Sequence, residues 1–170
     1  MTQSLTPHEL DPVLSIAYHE ASHFVVGALF DLPIISIDMK PNAQYDAAVG
    51  TFELVKWIGD VPLRADRAAM FKLAGPSGEK RFLGRRDNSI MGHALNDLKH
   101  AEDILSAVPT RTLIAMRKHE LIKQTDSLLG GETCWASVQA LANALVSEPS
   151  MEVAVAMQIA RIADLEASLC

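Results

Sequence analysis

The feature that most constrains this chain is a pair of histidines inside an apolar helical pattern. Residues 18–26 read Y-H-E-A-S-H-F-V-V, which contains the pattern H-E-x-x-H at His19, Glu20 and His23. Positions i and i+4 of a helix lie on the same face, so both imidazoles can reach one metal ion. Glu20 lies about 100° round the helix from His19, where it can take a proton from a metal-bound water.

The surrounding residues predict that this motif lies in the middle of a helix over residues 12–30. Asp11 and Pro12 are typical of an N-cap and a first helical position, and Pro33 follows the predicted end. Apolar residues recur at helical spacing: Leu14, Ala17, Tyr18, Ala21, Val25 and Ala28. Two buried imidazoles beside a carboxylate cost free energy unless something satisfies them, and a metal would. We therefore predict a zinc site, and the alternative is a pair of core or surface histidines satisfied by ordinary hydrogen bonds.

Composition and charge exclude several other classes of protein. The chain has 170 residues, enough for one domain with a real core, and a net charge of −6, which provides no electrostatic surface for nucleic acid. Cys134 and Cys170 form neither a disulfide framework nor a CxxC metal site, and they are expected to be reduced thiols. Residues 1–12 lack the features of a secretory signal, and the apolar run over residues 24–37 is too short to span a bilayer. We expect a soluble cytoplasmic protein without a nucleic-acid or membrane partner.

The rest of the chain predicts a small sheet followed by helices. Residues 1–10 are expected to be a flexible leader. Two strands are predicted over residues 34–39 and 48–55, either as an ordinary hairpin or with an edge that holds a peptide substrate. Helices are predicted over residues 60–82, with a kink or break at 74–78, and over 96–107, 109–129, 133–146 and 151–168.

A catalytic zinc ion usually has three protein ligands, and the spacing leaves the third one open. Val26 and Leu29 stand where the extended H-E-x-x-H-x-x-G-x-x-H signature has its glycine and third histidine. The remaining candidates are Glu79, His93, Asp97 and His100. The last three are spaced i, i+4 and i+7, so they share one helical face if their helix starts early.

Three motifs then follow one another along the chain. The first is H-E-A-S-H at 19–23, the second is A-G-P-S-G-E-K at 74–80, and the third is G-H-A-L-N-D-L at 92–98. With these motifs the chain resembles the peptidase domain of the FtsH-type AAA+ zinc proteases, whose corresponding motifs are H-E-A-G-H, G-G-R-A-A-E-E and G-A-S-N-D-L. The likeness covers roughly residues 12–162. It departs from the family at Ser22, which replaces a glycine, at Pro76, which interrupts the second motif, and at Glu102, which replaces a threonine.

The resemblance implies a zinc metalloendopeptidase that cleaves peptides or unfolded proteins. The third zinc ligand of the FtsH-type family corresponds to Asp97. The resemblance therefore implies that Zn²⁺ is held by His19, His23 and Asp97, with Glu20 as the catalytic general base. Glu79 is expected either to orient a ligand histidine or to form a surface ion pair. His93 and His100 are weaker candidates for contact with the site or the substrate.

The family also has an ATPase and a membrane segment, and neither occurs in these 170 residues. We therefore expect a free-standing peptidase domain that is independent of ATP in this chain. A separate ATPase partner and a homo-oligomer both stay open, since the family forms hexameric rings.

The sequence thus predicts an α+β fold that is mainly α-helical. It would consist of a zincin-like H-E-x-x-H helix, a small two- or three-stranded sheet and a C-terminal helical bundle. Residues 11–170 are predicted to form a single domain, with the zinc site in 11–108 and a helical half in 109–170. The alternative function is a non-catalytic, zinc-stabilised adaptor or regulatory domain, which a fourth protein ligand closing the metal would favour.

Overall fold

The computed structural model describes residues 7–39, 58–59, 61–84, 92–108, 113–162 and 164–165, without the side chains of 7–11, 92 and 93. The helices in these ranges are α1 (Pro7–Leu29), α2 (Pro62–Phe82), α3 (Gly92–Ala107), α4 (Ile114–Gly130), α5 (Glu132–Ser147) and α6 (Val153–Ile159). The strands are β1 (Ile37–Asp38) and β2 (Ser150–Met151), which form a two-stranded antiparallel sheet. A mainly helical fold with a small sheet was predicted from the sequence, and the structure confirms it at that level.

Helix α1 lies at the centre of the described part of the molecule. It packs against α2 on one side and α5 on another. Every residue from 17 to 28 is buried, which is the property of a helix surrounded by protein on all sides. The polar residues of the H-E-x-x-H motif are therefore carried into the interior by the apolar residues around them, such as Ala17, Ala21, Phe24 and Val25.

Several helix ends differ from the predicted ones. Helix α1 begins at Pro7, so the predicted start at Pro12 was wrong and Pro12 lies inside the helix. Pro7 is the first residue of the helix, a position where a proline costs no hydrogen bond. Helix α3 begins at Gly92, before the predicted Asn96.

Helix α2 continues through Pro76 as one helix, so the alternative of two separate helices does not hold. Helix α4 is described from Ile114, and residues 109–112 of its predicted range lie outside the described residues.

The sheet joins two distant parts of the chain. Ile37 pairs with Met151 and Asp38 with Ser150, and the Ser150 hydroxyl donates a hydrogen bond to Asp38. The predicted strand over 34–39 is thus shortened to two residues, and the predicted partner over 48–55 lies outside the described residues. The prediction of a helix over residues 151–168 was wrong at its start, because residue 151 belongs to β2, and in its length, because α6 ends at Ile159 and Arg161 has a φ of 50°. A two-residue strand gains its hydrogen bonds only from its partner, so it leaves no local pattern.

The described helices also bear on the membrane prediction. In the part of the chain that the structure covers, no helix combines the length and the apolar character needed to cross a bilayer.

Candidate metal centre

Helix α1 brings the two histidines of the motif together. The side chains of His19 and His23 are on successive turns of one face, and their Nε2 atoms are 3.1 Å apart. Both residues are buried, with 1% and 2% of their surface exposed, and Glu20 between them is fully buried. The two rings meet edge to face, with centroids 4.7 Å apart. The imidazoles therefore present two nitrogen atoms to a single point inside the protein.

Asp97 reaches the same point from α3. Its Oδ2 atom lies 2.9 Å from Nε2 of His19 and 3.2 Å from Nε2 of His23. Asp97 is 5% exposed, although its neighbours Leu95 and Asn96 on α3 face solvent. In a tetrahedral zinc site, ligand atoms about 2.0–2.1 Å from the metal lie about 3.4 Å from one another. The three atoms thus form a triangle close in size to one face of such a tetrahedron.

This group could hold a metal ion. Among the described residues, His19, His23 and Asp97 are the members of the group, and no fourth histidine, cysteine or carboxylate joins them. Two imidazole nitrogens and one carboxylate oxygen suit zinc and related first-row metals. Three protein ligands leave one tetrahedral position for water or substrate.

Hydrogen bonds hold each imidazole from its other nitrogen. Nδ1 of His23 donates to the carbonyl oxygen of Phe71 in α2, at 2.6 Å. Nδ1 of His19 donates to Oε2 of Glu79 at 3.3 Å, and the Ser15 hydroxyl donates to Oε1 of the same carboxylate at 2.7 Å. With Nδ1 occupied in this way, Nε2 of each ring is the nitrogen directed at Asp97 and the one available to a metal, as in metal-binding histidines generally.

A glycine in α2 keeps space beside these nitrogens. A Cβ atom on Gly75 would lie 2.5 Å from Nε2 of His19 and would also overlap Nε2 of His23. Any other residue here would therefore place a carbon atom where the two imidazoles converge. We assigned no role to Gly75 from the sequence, although it falls within the second motif.

Charge is concentrated around the three candidate ligands. Glu20, Glu79 and Asp97 are all buried, with at most 5% of each residue exposed. Lys72 of α2 forms an ion pair with Asp97, with Nζ 3.8 Å from Oδ1 and a side chain that is 12% exposed. The sequence offered no signal for Lys72, since a single lysine in a helix is ordinarily a surface residue.

The carboxylates change the titration of the ligands. Burial by itself lowers the pKa of His19, but hydrogen bonds to Asp97 and Glu79 and the charges of Glu20 and Asp97 outweigh it and raise the pKa to about 9. Burial raises the pKa of Asp97, yet the charge of His23 and the hydrogen bonds from both histidines hold it well below its usual range. The metal-free centre therefore keeps a proton on an imidazole, which a metal ion would displace.

The other predicted candidates occupy different places. Glu79 is buried beside His19 rather than on the surface. His100 is exposed on α3 and does not belong to the ligand group. His93 is in the first turn of α3, but its side chain lies outside the described residues.

Comparison with other proteins adds no assignment. The chain matches no profile of a known protein family, and no curated protein matches it significantly. The resemblance to the FtsH-type peptidases accordingly stays a prediction that depends on the three motifs and on where their residues lie.

Proposed function

We propose that this protein is a zinc metallopeptidase that hydrolyses peptide bonds in peptides or unfolded proteins without ATP in this chain. The observation that carries the proposal is the triangle of Nε2, Nε2 and Oδ2 atoms, with sides of 2.9–3.2 Å, formed by His19, His23 and Asp97. The three sequence motifs support it as well, because each contributes to this place: the first the imidazoles, the second Gly75 and Glu79, and the third Asp97.

Zinc is the metal that best fits this donor set. Imidazole and carboxylate ligands at tetrahedral spacing are typical of catalytic zinc sites. A bound Zn²⁺ ion would lower the pKa of a water ligand towards neutrality and polarise the carbonyl group of the peptide bond.

The protein groups would then orient ligands and move protons. Glu20 follows His19 directly in sequence and is fully buried. It would accept the proton of the attacking water and deliver it to the departing amine. Glu79 and the Phe71 carbonyl would keep His19 and His23 in the orientation that exposes Nε2 to the metal.

The second candidate is a non-catalytic domain in which zinc stabilises the fold. The observation that favours it is burial: the two histidines, Glu20 and Asp97 are each at most 5% exposed. A metal enclosed in this way would hold α1 and α3 together without reaching a substrate.

Two substitutions in α1 test the proposed function. We expect Glu20→Gln to retain zinc, measured by metal analysis of the purified protein, because it removes no ligand. Its hydrolysis of casein should fall by a factor of about 10²–10⁴, the usual contribution of a general base. His23→Ala should lose both zinc and hydrolysis.

The matched control is Glu102→Gln, which neutralises an exposed glutamate on α3 and should leave both quantities unchanged. If Glu20→Gln digests casein as fast as the wild type, the assignment of the general base is wrong. Zinc-loaded wild type that cleaves neither casein nor short peptides would instead establish the non-catalytic alternative.

A further inference from the structure

One face of α2 runs along the candidate metal centre. Lys72, Gly75 and Glu79 are spaced i, i+3 and i+7, so they lie on the same side of the helix. Gly75 leaves space beside the imidazoles, and Glu79 holds His19. Lys72 faces Asp97, the ligand that comes from another helix. Lys72, Gly75 and Glu79 thus each lie against a candidate ligand of the centre.

The two oxygens of Asp97 have different surroundings. Oδ2 is directed at the imidazoles, at 2.9 Å and 3.2 Å from their Nε2 atoms. Oδ1 lies 3.8 Å from Nζ of Lys72. A carboxylate can bind a metal through one oxygen or through both, and the second oxygen fills a coordination position.

We propose that Lys72 is a positioning residue that keeps Asp97 a ligand through Oδ2 alone, so that one coordination position of the metal stays open. This inference rests on the proposed function. The ammonium group attracts Oδ1, and rotation of the carboxylate towards the metal would break that ion pair. The open position is what separates a catalytic zinc site from a structural one.

Charge balance supports this role. Glu20, Glu79 and Asp97 bring three buried negative charges to the centre. One divalent cation and Lys72 together would neutralise them. A lysine that is 12% exposed loses hydration, and such a residue is retained where a partner compensates the loss.

The ammonium group of Lys72 also contacts an aromatic ring. Nζ lies 5.2 Å from the centroid of the Phe71 ring, in the range of a cation–π contact. Because the Phe71 carbonyl also accepts the hydrogen bond from His23, Lys72 is next to a fixed point of the backbone. The ammonium group is therefore presented to Asp97 by a segment that the centre itself holds in place.

Cobalt substitution tests the inference by a readout other than activity. The visible spectrum of Co²⁺ depends on which atoms bind it and on their geometry. We expect Lys72→Met to bind Co²⁺ with a visible spectrum shifted from that of the wild type, because the freed Oδ1 would take the position that stays open for water in the wild type. Lys72→Arg should keep the wild-type spectrum, because it keeps the charge.

Kinetics provide the second readout. With zinc bound, Lys72→Met should lower kcat for a peptide substrate by about 10–100-fold, the usual effect of losing a partner of a metal ligand, with KM little changed. Lys72→Gln is made in parallel, so that a neutral variant is available if one of the two folds poorly. The control is Lys118→Met, which removes a lysine paired with Glu102 away from the centre.

The outcomes separate the two proposals. Neutral Lys72 variants whose cobalt spectra superimpose on that of the wild type would overturn the positioning role. A wild-type protein that binds Co²⁺ and Zn²⁺ but cleaves no peptide overturns the proposed function alone, and the spectra still decide the role of Lys72. A wild-type protein that binds neither metal overturns both.

Discussion

At the scale of single residues, the centre depends on three polar atoms that all lie within hydrogen-bond distance of one another. Nε2 of His19 is within 3.1 Å of Nε2 of His23, and Oδ2 of Asp97 is within 3.2 Å of both. Like dipoles and lone pairs at such distances repel one another unless a proton or a cation lies between them. The raised pKa of His19 has the same origin, because a proton stabilises the cluster as a metal would.

Gly75→Ala should remove metal binding. The added methyl group would overlap Nε2 of both histidines, so the imidazoles could no longer converge on one ion. We expect the affinity for zinc, measured by competition with a chromophoric chelator, to fall by about 100-fold or more, beyond the usual effect of losing an outer partner.

The control is Gly130→Ala at the end of α4, where the nearest atom to an added Cβ is Arg81 Nη1 at 3.6 Å, an ordinary contact. Retention of full zinc affinity by Gly75→Ala would show that the metal lies elsewhere than between the two imidazoles.

At the scale of elements, the close crossing of α1 and α2 decides whether the centre can form. Gly78 lies against Ser22, whose hydroxyl donates a hydrogen bond to the carbonyl oxygen of Tyr18, at 2.7 Å. Stacked rings of Tyr18, Phe82 and Trp135 pack beside the same crossing. Small residues at the contact allow the backbone of α2 to come near enough for Glu79 and Phe71 to reach the histidines.

Gly78→Ala should therefore destabilise the protein. Its Cβ would overlap Ser22 Oγ and lie 2.6 Å from Ser22 Cβ, and overpacking of this kind costs about 1–3 kcal/mol. Urea unfolding, followed by circular dichroism, measures the loss.

Ser22→Gly provides the matched test, because it removes both overlapping atoms of the partner. In that background Gly78→Ala should cost less than in the wild type, so the two substitutions should be coupled rather than additive. Additive losses would mean that the two residues do not meet at the crossing.

At the scale of the whole molecule, the centre joins three helices that are separate in sequence. His19 and His23 come from α1, Glu79 from α2 and Asp97 from α3. Among the described residues α2 lies between the other two, since it packs against both α1 and α3. The ionisation of the centre is therefore linked to the stability of the fold.

The metal-free protein should become less stable as the pH rises from 6.5 to about 9. The pKa of His19 is raised from 6.5 to about 9 in the folded protein, so its contribution is fully present below 6.5 and is lost as the pH passes through the folded value. One such proton changes the free energy of unfolding by at most about 1.4 kcal/mol per pH unit. Urea midpoints in the presence of a chelator measure the trend.

His19→Gln should abolish this pH dependence, whereas His119→Gln, at an exposed position on α4, should leave it in place. Excess zinc should reverse the trend, since metal binding competes with the proton on His19 and strengthens as the proton leaves. If the wild type in the presence of a chelator becomes more stable between pH 6.5 and about 9, His19 does not form the hydrogen bonds to Asp97 and Glu79 that raise its pKa.

The sequence by itself determined the mainly helical fold and the placing of two histidines and a glutamate on one buried helix. These features follow from the spacing of apolar residues within single segments of the chain, which can be read without knowing how the segments pack. It also limited the third ligand to four candidates. Only the tertiary structure decided that Asp97 meets the imidazoles, that Glu79 is buried beside His19, and that Lys72 faces Asp97. Those placements depend on how α2 packs on α1 and how α3 packs on α2, and packing between distant segments leaves no pattern in the segments themselves.

The same reason explains the errors in the small sheet. The partner of β1 is Ser150–Met151, more than a hundred residues further along the chain, where the local pattern predicted the end of a break and the start of a helix. A strand of two residues is defined by hydrogen bonds to its partner, and a metal centre by atoms from several helices. Both exist only after the chain has folded, because each requires groups that the sequence holds far apart.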